Sequence, residues 1–489
     1  MSILSIDAGT TGVTALLVEP DGAISATGYA EFPQHFPSDG YVEHELSDIW
    51  AATIAAASVA LEHRADSVTA IGITNQRETV AFWDAETLGA PRRAIVWQDR
   101  RTATMCDDLR AHEPRIRELT GLRLDPYFSA TKIAWVREHD PSTWANVESG
   151  RVVIGTIDSY LIAKMTRGMS HITDVTNASR TLLADIHTGE WSPELLDLFG
   201  VPEAALPTIT SSYGDLAHSD PQAFLGLNVP IAGIAGDQQA ALVGQTGFDA
   251  GDAKCTYGTG SFLLVNTGDE LHYSDHGLLT TIALGHPDGR LDYALEGSVF
   301  VTGSAIQWLR DGLGIISHAS DTAELAASVP DSAGVVFVPA LTGLGAPDWD
   351  PNARGLIIGI TRGTTRAHIV RATLEAIAYS VRDVVDVMRQ DGNVTLTQLA
   401  VDGGAAANDV LCQLQADQLR ATVNRSAALQ TTGLGAAFLA GLGTGVWDSV
   451  DALRSTRESS GMFTPRPVDP AGHAAWRNAV ARAKDWANQ

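Results

Sequence analysis

Six residues, Asp7-Ala8-Gly9-Thr10-Thr11-Gly12, join the apolar runs Ile3–Ile6 and Val13–Val18 with no room for a helix between them. A third run, Ala23–Phe32, follows Pro20-Asp21-Gly22, so the first forty residues predict an antiparallel β-meander and exclude a βαβ start. The tight turn also carries chemistry. Its glycines let the backbone approach a phosphate, its amides and threonine hydroxyls donate hydrogen bonds, and Asp7 at the strand end is placed to hold Mg²⁺ through water. Ordinary hairpins use Asp, Gly and Thr as well, so one such turn decides little.

Two more turns of this kind follow. Tyr257-Gly258-Thr259-Gly260-Ser261 opens a strand over Ser261–Asn266, and Asp402-Gly403-Gly404-Ala405 lies between a strand at Leu399–Val401 and the helix carrying Asn408. Together they can line a nucleotide, with two hairpins around the phosphates and the glycine pair against the adenosine. No GxxxxGK[ST] segment occurs, which excludes a P-loop enzyme.

Apolar positions Leu46, Ile49, Trp50, Thr53, Ile54, Ala57 and Leu61 share one helical face and precede a strand at Ala70–Thr74. Past the middle, PIAGIAGDQQAALVGQ, the strand at Ser261–Asn266 and a helix around Ser304–Leu309 read as a second domain of similar construction, begun near residue 245. The longest helix is expected over Arg366–Met388, with Val370, Leu374, Ile377, Val381, Val384, Val385 and Met388 as its stripe. No Pro- or Ser-rich linker divides the halves, so short crossings are expected between them.

Composition narrows the partners. Against 33 Lys and Arg stand 58 Asp and Glu, a formal charge of −25 with no long basic run, which argues against nucleic acid. A polyanionic substrate would need a locally positive or metal-filled pocket. Cys106, Cys255 and Cys412 are far apart and form no CxxC pair, so neither a disulfide framework nor a zinc site is expected. The start MSILSIDAGTT lacks a basic n-region, and no apolar stretch approaches the roughly 18 residues of a membrane span. A cytoplasmic protein with no membrane partner is the expectation.

Between the phosphate turns, Gly236-Asp237-Gln238-Gln239 puts an acid after the apolar run Ile231–Ala235, at the start of a helix. That carboxylate is placed to take the proton of a hydroxyl attacking a γ-phosphate, and Asp is also a good N-cap. Asn75-Gln76-Arg77-Glu78 sets a rigid donor beside an acceptor, suited to polyol hydroxyls, although adjacent opposite charges also suit a solvated turn. Trp97 and Tyr127-Phe128 can cover a small substrate's carbons or belong to the core.

At this level of detail the chain resembles the FGGY family of carbohydrate kinases over nearly its full length. The strings that carry the resemblance are GYVEHE (40–45), GITNQRET (72–79), AIVWQDRRT (94–102), DPYFSATK (125–132), TDVTNASRT (173–181), GIAGDQQAAL (233–242), YGTGSF (257–262), TGLGAPDWDP (342–351) and VDGGAAAND (401–409). The resemblance implies an α/β protein of two actin-like (ribonuclease H-like, ASKHA) domains with a catalytic cleft between them. Residues 1–244 would bind the polyol and 245–489 the nucleotide. By the same matching, Asp237 would be the base. Glycerol would meet Arg77, Glu78, Trp97, Tyr127, Asp237, Gln238 and Phe262, and ATP would meet Thr10, Thr11, Thr259, Gly303, Gln307, Gly404 and Asn408. Asp7 would orient Mg²⁺, and family analogy suggests a homodimer or homotetramer.

The first turn departs from the family. Where the usual pattern is Asp-Gln-Gly-Thr-Thr-Ser followed shortly by Arg, this chain has Ala8, Gly12 and Thr14, so a guanidinium facing nucleotide phosphate is missing. The readings that follow are transfer of the ATP γ-phosphate to O3 of glycerol, the same reaction on another polyol or sugar, and a weakened ATP-binding regulatory relative.

Overall fold

The meander forms as β1 (Ser2–Ala8), β2 (Gly12–Val18) and β3 (Ile24–Glu31), with β2 antiparallel to both neighbours. The computed structural model describes residues 2–62 and 64–488. After α1 (Leu46–Leu61), β4 (Val68–Asn75) returns parallel to β1, and β5 (Tyr213–His218) and β6 (Pro230–Gly236) complete a six-stranded sheet of order β5-β6-β4-β1-β2-β3. The run Pro230–Gly236, grouped above with the second domain's pattern, belongs to this first sheet. Helix α2 (Asp237–Gly244) leaves it directly.

The second sheet repeats the arrangement. β7 (Ala253–Tyr257), β8 (Ser261–Gly268), β9 (Leu279–Gly285), β10 (Leu291–Val299), β11 (Gln398–Asp402), β12 (Thr422–Ser426) and β13 (Ser459–Phe463) lie in the order β9-β10-β8-β7-β11-β12-β13. The central run β12-β11-β7-β8-β10 has the same pairing senses as β6-β4-β1-β2-β3: two parallel pairs, then two antiparallel ones. Residues that share little sequence therefore build one topology twice.

Helix α3 (Gly303–Asp311) follows β10, and α4 (Arg366–Asp391) covers one face of the second sheet. All seven expected stripe residues of α4 are buried in one core with Cys255, Leu263 and Val401. At about 1.5–3 kcal/mol per large apolar side chain, this stripe fixes which face of the sheet is covered. Residues two apart on a strand share a face, so Lys254, Thr256, Phe262, Glu296 and Ser298 lie on the opposite face, as their register confirms. α5 (Asp409–Leu419) follows β11.

Helix α6 (Thr431–Thr444) comes late in the chain yet packs against α2, β4 and β6 of the first sheet. A Cβ at Gly435 would stand 1.8 Å from the Ala240 carbonyl oxygen, an approach only glycine permits. Among the described residues, no helix is long and apolar enough to cross a membrane.

Candidate active site

Three parallel strands end together. Register pairs Asp7 with Thr74, and Gly236 with Asn75, so Asp7, the segment after Asn75 and Asp237 share the carboxyl edge of the first sheet. The Asn75–Glu78 turn is not solvated: all four residues are buried. The Thr79 amide donates to the Arg77 carbonyl at 2.7 Å, which tightens the turn and holds Glu78 at φ 61°, a left-handed value uncommon for a non-glycine residue. The Ser129 hydroxyl pins the Glu78 carbonyl at 3.0 Å.

Gln76 links this turn to the first phosphate turn. Its amide nitrogen donates to the Gly9 carbonyl at 3.0 Å and approaches His44 Nδ1 at 3.3 Å, which makes that nitrogen the acceptor of a neutral imidazole. Burial, with the neighbouring His35, lowers the His44 pKa from 6.5 to about 4. Between those values the unfolded chain binds a proton that the folded chain refuses, so this contribution to stability is lost as pH falls from 6.5 towards 4. Relative to His44→Phe, wild type should lose stability over that window with a slope of up to about 1.4 kcal/mol per pH unit. Parallel pH profiles in chemical denaturation would contradict the assignment.

Arg77 is the hub. Its Nε is 2.9 Å from Asp237 Oδ1, and its Nη1 is 2.6 Å from Glu296 Oε2, across from the second sheet. Arg180 completes the cluster, with Nε donating to Glu78 at 2.7 Å and Nη2 to Glu296 at 3.1 Å. Burial alone would raise the Glu296 carboxyl, but the two guanidiniums outweigh it and hold the pKa at about 2. For Glu78 burial prevails and its pKa is raised. Arg180 Nη1 has no hydrogen-bond partner, and its guanidinium lies 5.4 Å from the Phe128 ring and 5.8 Å from the Tyr127 ring.

The aromatic residues line one side of this hub. Trp97 and Tyr127 meet edge to face at 5.6 Å, and the Trp97 indole donates to the Thr10 hydroxyl at 2.9 Å, joining the expected polyol wall to the phosphate turn. Lys132, its pKa lowered to about 7 by burial, donates to the carbonyls of Tyr127 and Phe128 and fixes their backbone. Phe128 belongs to the core and Tyr127 only partly. Phe262 faces the hub from the second sheet.

Asp237 is the first residue of α2, and Gly236 is the N-cap, so the aspartate is not the cap itself. Oδ1 receives Arg77 and, at 2.7 Å, the backbone N–H of Gln238. Oδ2 has no recorded partner among the described residues. Asp7 is raised to about 7 by burial first and by the Asp237 charge second. Two carboxylates this close, with the guanidinium turned to only one of them, suit a divalent cation that borrows its other ligands from phosphate and water.

On the second sheet, the Gly258 carbonyl accepts from the Gly303 amide at 3.0 Å, and the Thr259 carbonyl accepts from Thr302 and Ser304. Thr259 and Gly303 are thereby held together at the start of α3, with Gln307 exposed one turn further on. Gly403 takes φ 87°, and a Cβ there would lie 2.5 Å from the Tyr257 carbonyl, whereas a Cβ at Gly404 meets nothing within 4 Å. Asn408 caps α5 through its carbonyl oxygen and donates to Thr322 at 3.0 Å. Thr14 lies opposite Asp7 in the hairpin register. Thr11 is exposed at the turn.

The residues that sequence reasoning left without a role are Gln76, His44, Lys132, Arg180, Lys254 and Glu296. For Lys254 and Glu296 a signal existed: each is a charge in the interior of a strand, and a charge buried there needs a partner.

Comparison with known proteins gives a consistent result. A model of the FGGY family of carbohydrate kinases, N-terminal domain, matches residues 2–244, and its C-terminal counterpart matches residues 253–444. The chain is 49% identical over 488 residues to a glycerol kinase of Gluconobacter oxydans, covering 98% of this chain and 95% of that one. To a glycerol kinase of Gloeobacter violaceus it is 50% identical over 491 residues, covering 99% and 97%. A crystal structure of Plasmodium falciparum glycerol kinase with ADP matches with a TM-score of 0.93 at 37% identity, covering 99% of this chain and 98% of that one. A xylulose kinase from Lactobacillus acidophilus, at 21% identity and a TM-score of 0.86 over 99% and 96% of the two chains, shares the fold.

Proposed function

The chain belongs to the FGGY family of carbohydrate kinases, and from that premise we propose that it transfers the γ-phosphate of ATP to O3 of glycerol, giving sn-glycerol 3-phosphate and ADP. The observation that carries the reading is Asp237, a carboxylate with one oxygen held by Arg77 and the other without a partner among the described residues, at the head of a helix facing the second sheet.

In this mechanism Asp237 Oδ2 takes the O3 proton as the O3–phosphorus bond forms, and the bond from phosphorus to the β–γ bridging oxygen breaks, its electron pair leaving with ADP. The proton then passes to solvent. Arg77, Glu78 and Gln238 hold glycerol's hydroxyls, and Trp97, Tyr127 and Phe262 cover its carbons. Thr10, Thr11 and Thr259 supply donors to the phosphates, Gly303 leaves room for them at the start of α3, and Gln307, Gly404 and Asn408 lie towards the nucleoside. Asp7 would hold Mg²⁺, whose chemistry is to neutralise phosphate charge. Residues 1–244 bind most of the polyol and 245–489 most of the nucleotide, and closure of the two around both ligands excludes water as a rival acceptor.

A steady-state assay with glycerol and MgATP, read by coupled ADP release over a panel including a tetritol and a pentulose, tests the reading. Fastest turnover on glycerol is expected. Preference for another polyol would move the substrate, and ATP binding without any phosphorylation would favour the regulatory alternative, for which Thr14 in place of Arg is the one motive. Gly404→Val supplies a second check. Because its surroundings are open, folding should stay within about 0.5 kcal/mol of wild type, while KM for ATP rises and KM for glycerol holds. Unchanged ATP kinetics would remove the Asp402-Gly403-Gly404 turn from the nucleotide site.

A cytoplasmic location and a homodimer or homotetramer complete the proposal. The first is supported by Cys106, Cys255 and Cys412, which are free, buried thiols, each pushed up to about 12 by burial. The second rests on family analogy.

A further inference from the structure

Gln238 follows the proposed base, and its amide has two different ends. Oxygen outwards, it would accept from a substrate hydroxyl; nitrogen outwards, it would donate to one. Which end faces the cleft decides what kind of substrate atom can bind. Lys254 bears on that choice. Its side chain is fully buried on β7, on the face turned towards α2, and its Nζ donates to Gln238 Oε1 and, at 3.1 Å, to Thr256 Oγ1. An ammonium has only donors, so it binds the oxygen of an amide and never the NH₂ group. Gln238 Nε2 is left without a recorded partner among the described residues. Burial lowers the Lys254 pKa, with Asp402 and Asp237 opposing it only in part, and in either protonation state the amine has an N–H to donate to Gln238 Oε1.

We infer that Lys254 is a positioning residue that locks the Gln238 amide with Nε2 towards the substrate, so that the reacting hydroxyl accepts from Gln238 and must give its proton to Asp237. The inference rests on the proposed glycerol phosphorylation and adds to it the origin of the hydroxyl's orientation. With one of its two lone pairs engaged by Gln238, the hydroxyl keeps the other for phosphorus and its hydrogen for Asp237 Oδ2. An acceptor lacking that hydrogen, such as an ether or O-methyl group at the same position, would find the carboxylate unpaired and bind poorly.

Two kinds of variant test this, with wild-type turnover of glycerol as the control for the underlying reading. In Lys254→Met the amide is free to turn, and kcat/KM for glycerol should fall at least tenfold with KM for ATP within twofold of wild type. Gln238→Ala should cost much less in the Lys254→Met background than in wild type, because the partner it relies on is already gone. Additive losses, or a change confined to ATP, would assign Lys254 a structural or nucleotide role and overturn the inference. Gln238→Glu guards against a Lys254 variant that does not fold. A carboxylate pairs well with Lys254 and keeps the shape, but offers an acceptor where the amide offered a donor. Its melting temperature should match or exceed wild type while glycerol turnover falls at least a hundredfold. Near-normal turnover would mean that the oxygen faces the substrate. If wild type itself fails to phosphorylate glycerol, the reaction assignment fails, and the inference about the reacting hydroxyl falls with it.

Discussion

Asp237→Asn is expected to lose about 10²- to 10⁴-fold in kcat, the range spanned by a positioned general base, with glycerol still bound at close to the wild-type dissociation constant. The expectation follows from how the carboxylate is held. Arg77 and the backbone N–H of Gln238 both engage Oδ1. An asparagine can present its oxygen to the same two donors, so the turn, the helix start and the Arg77 side chain keep their places. What changes is the free position, where an acceptor able to take a proton becomes an NH₂ group that cannot. Single-turnover kinetics together with equilibrium glycerol binding separate the two effects. Turnover within tenfold of wild type would remove Asp237 from proton transfer. Loss of binding with turnover preserved at saturation would make it a binding residue only.

The same geometry explains what could be read in advance. Local features were legible because local physics makes them: the 3.6-residue stripe of α4 is buried at every position expected, and the strand–turn–strand opening forms over the expected residues. Asp237 and Arg77 were legible because each sits at a break in an apolar run. The pairing between them was not. Arg77 meets Glu296 across 219 residues of chain, and Arg180 meets Glu78 across 102, separations over which no periodicity carries information. The missed placement of α6 has the same origin. Its sequence, rich in Gly, Ala and Leu, reads as a buried helix, but nothing local says that it packs on the sheet formed from the other end of the chain. The repeated topology was visible only as a second domain of similar construction begun near residue 245, without its strand order, because that order depends on backbone pairing that many apolar sequences satisfy.

Glu296→Leu is expected to destabilise the fold by about 3–5 kcal/mol, the cost of leaving a buried charge without its partner. Glu296 is fully buried and meets Arg77 at 2.6 Å and Arg180 at 3.1 Å, whereas Glu78 meets Arg180 at 2.7 Å but Arg77 only at 3.9 Å. Without it, two guanidiniums face each other in a site where Glu78 already engages Arg180 and Asp237 engages Arg77. Arg77 would then be left with Asp237 at 2.9 Å, Gln239 at 3.4 Å and Glu78 at 3.9 Å, so kcat should fall along with stability even in protein that remains folded. Glu296→Gln keeps the shape and one acceptor oxygen, sets an NH₂ donor against a guanidinium and removes the charge, and should still cost less than the leucine. The pH dependence discriminates charge from shape. The carboxyl titrates at about 2 in the fold against 4.5 when unfolded, so the unfolded state takes the proton first, and this contribution is present above pH 4.5 and lost as pH falls towards 2. Chemical denaturation of wild type should therefore steepen with acid over that window relative to Glu296→Gln. If both variants unfold within 1 kcal/mol of wild type, the hub does not depend on Glu296, and Arg77 is held for catalysis by Asp237 and the tight turn alone.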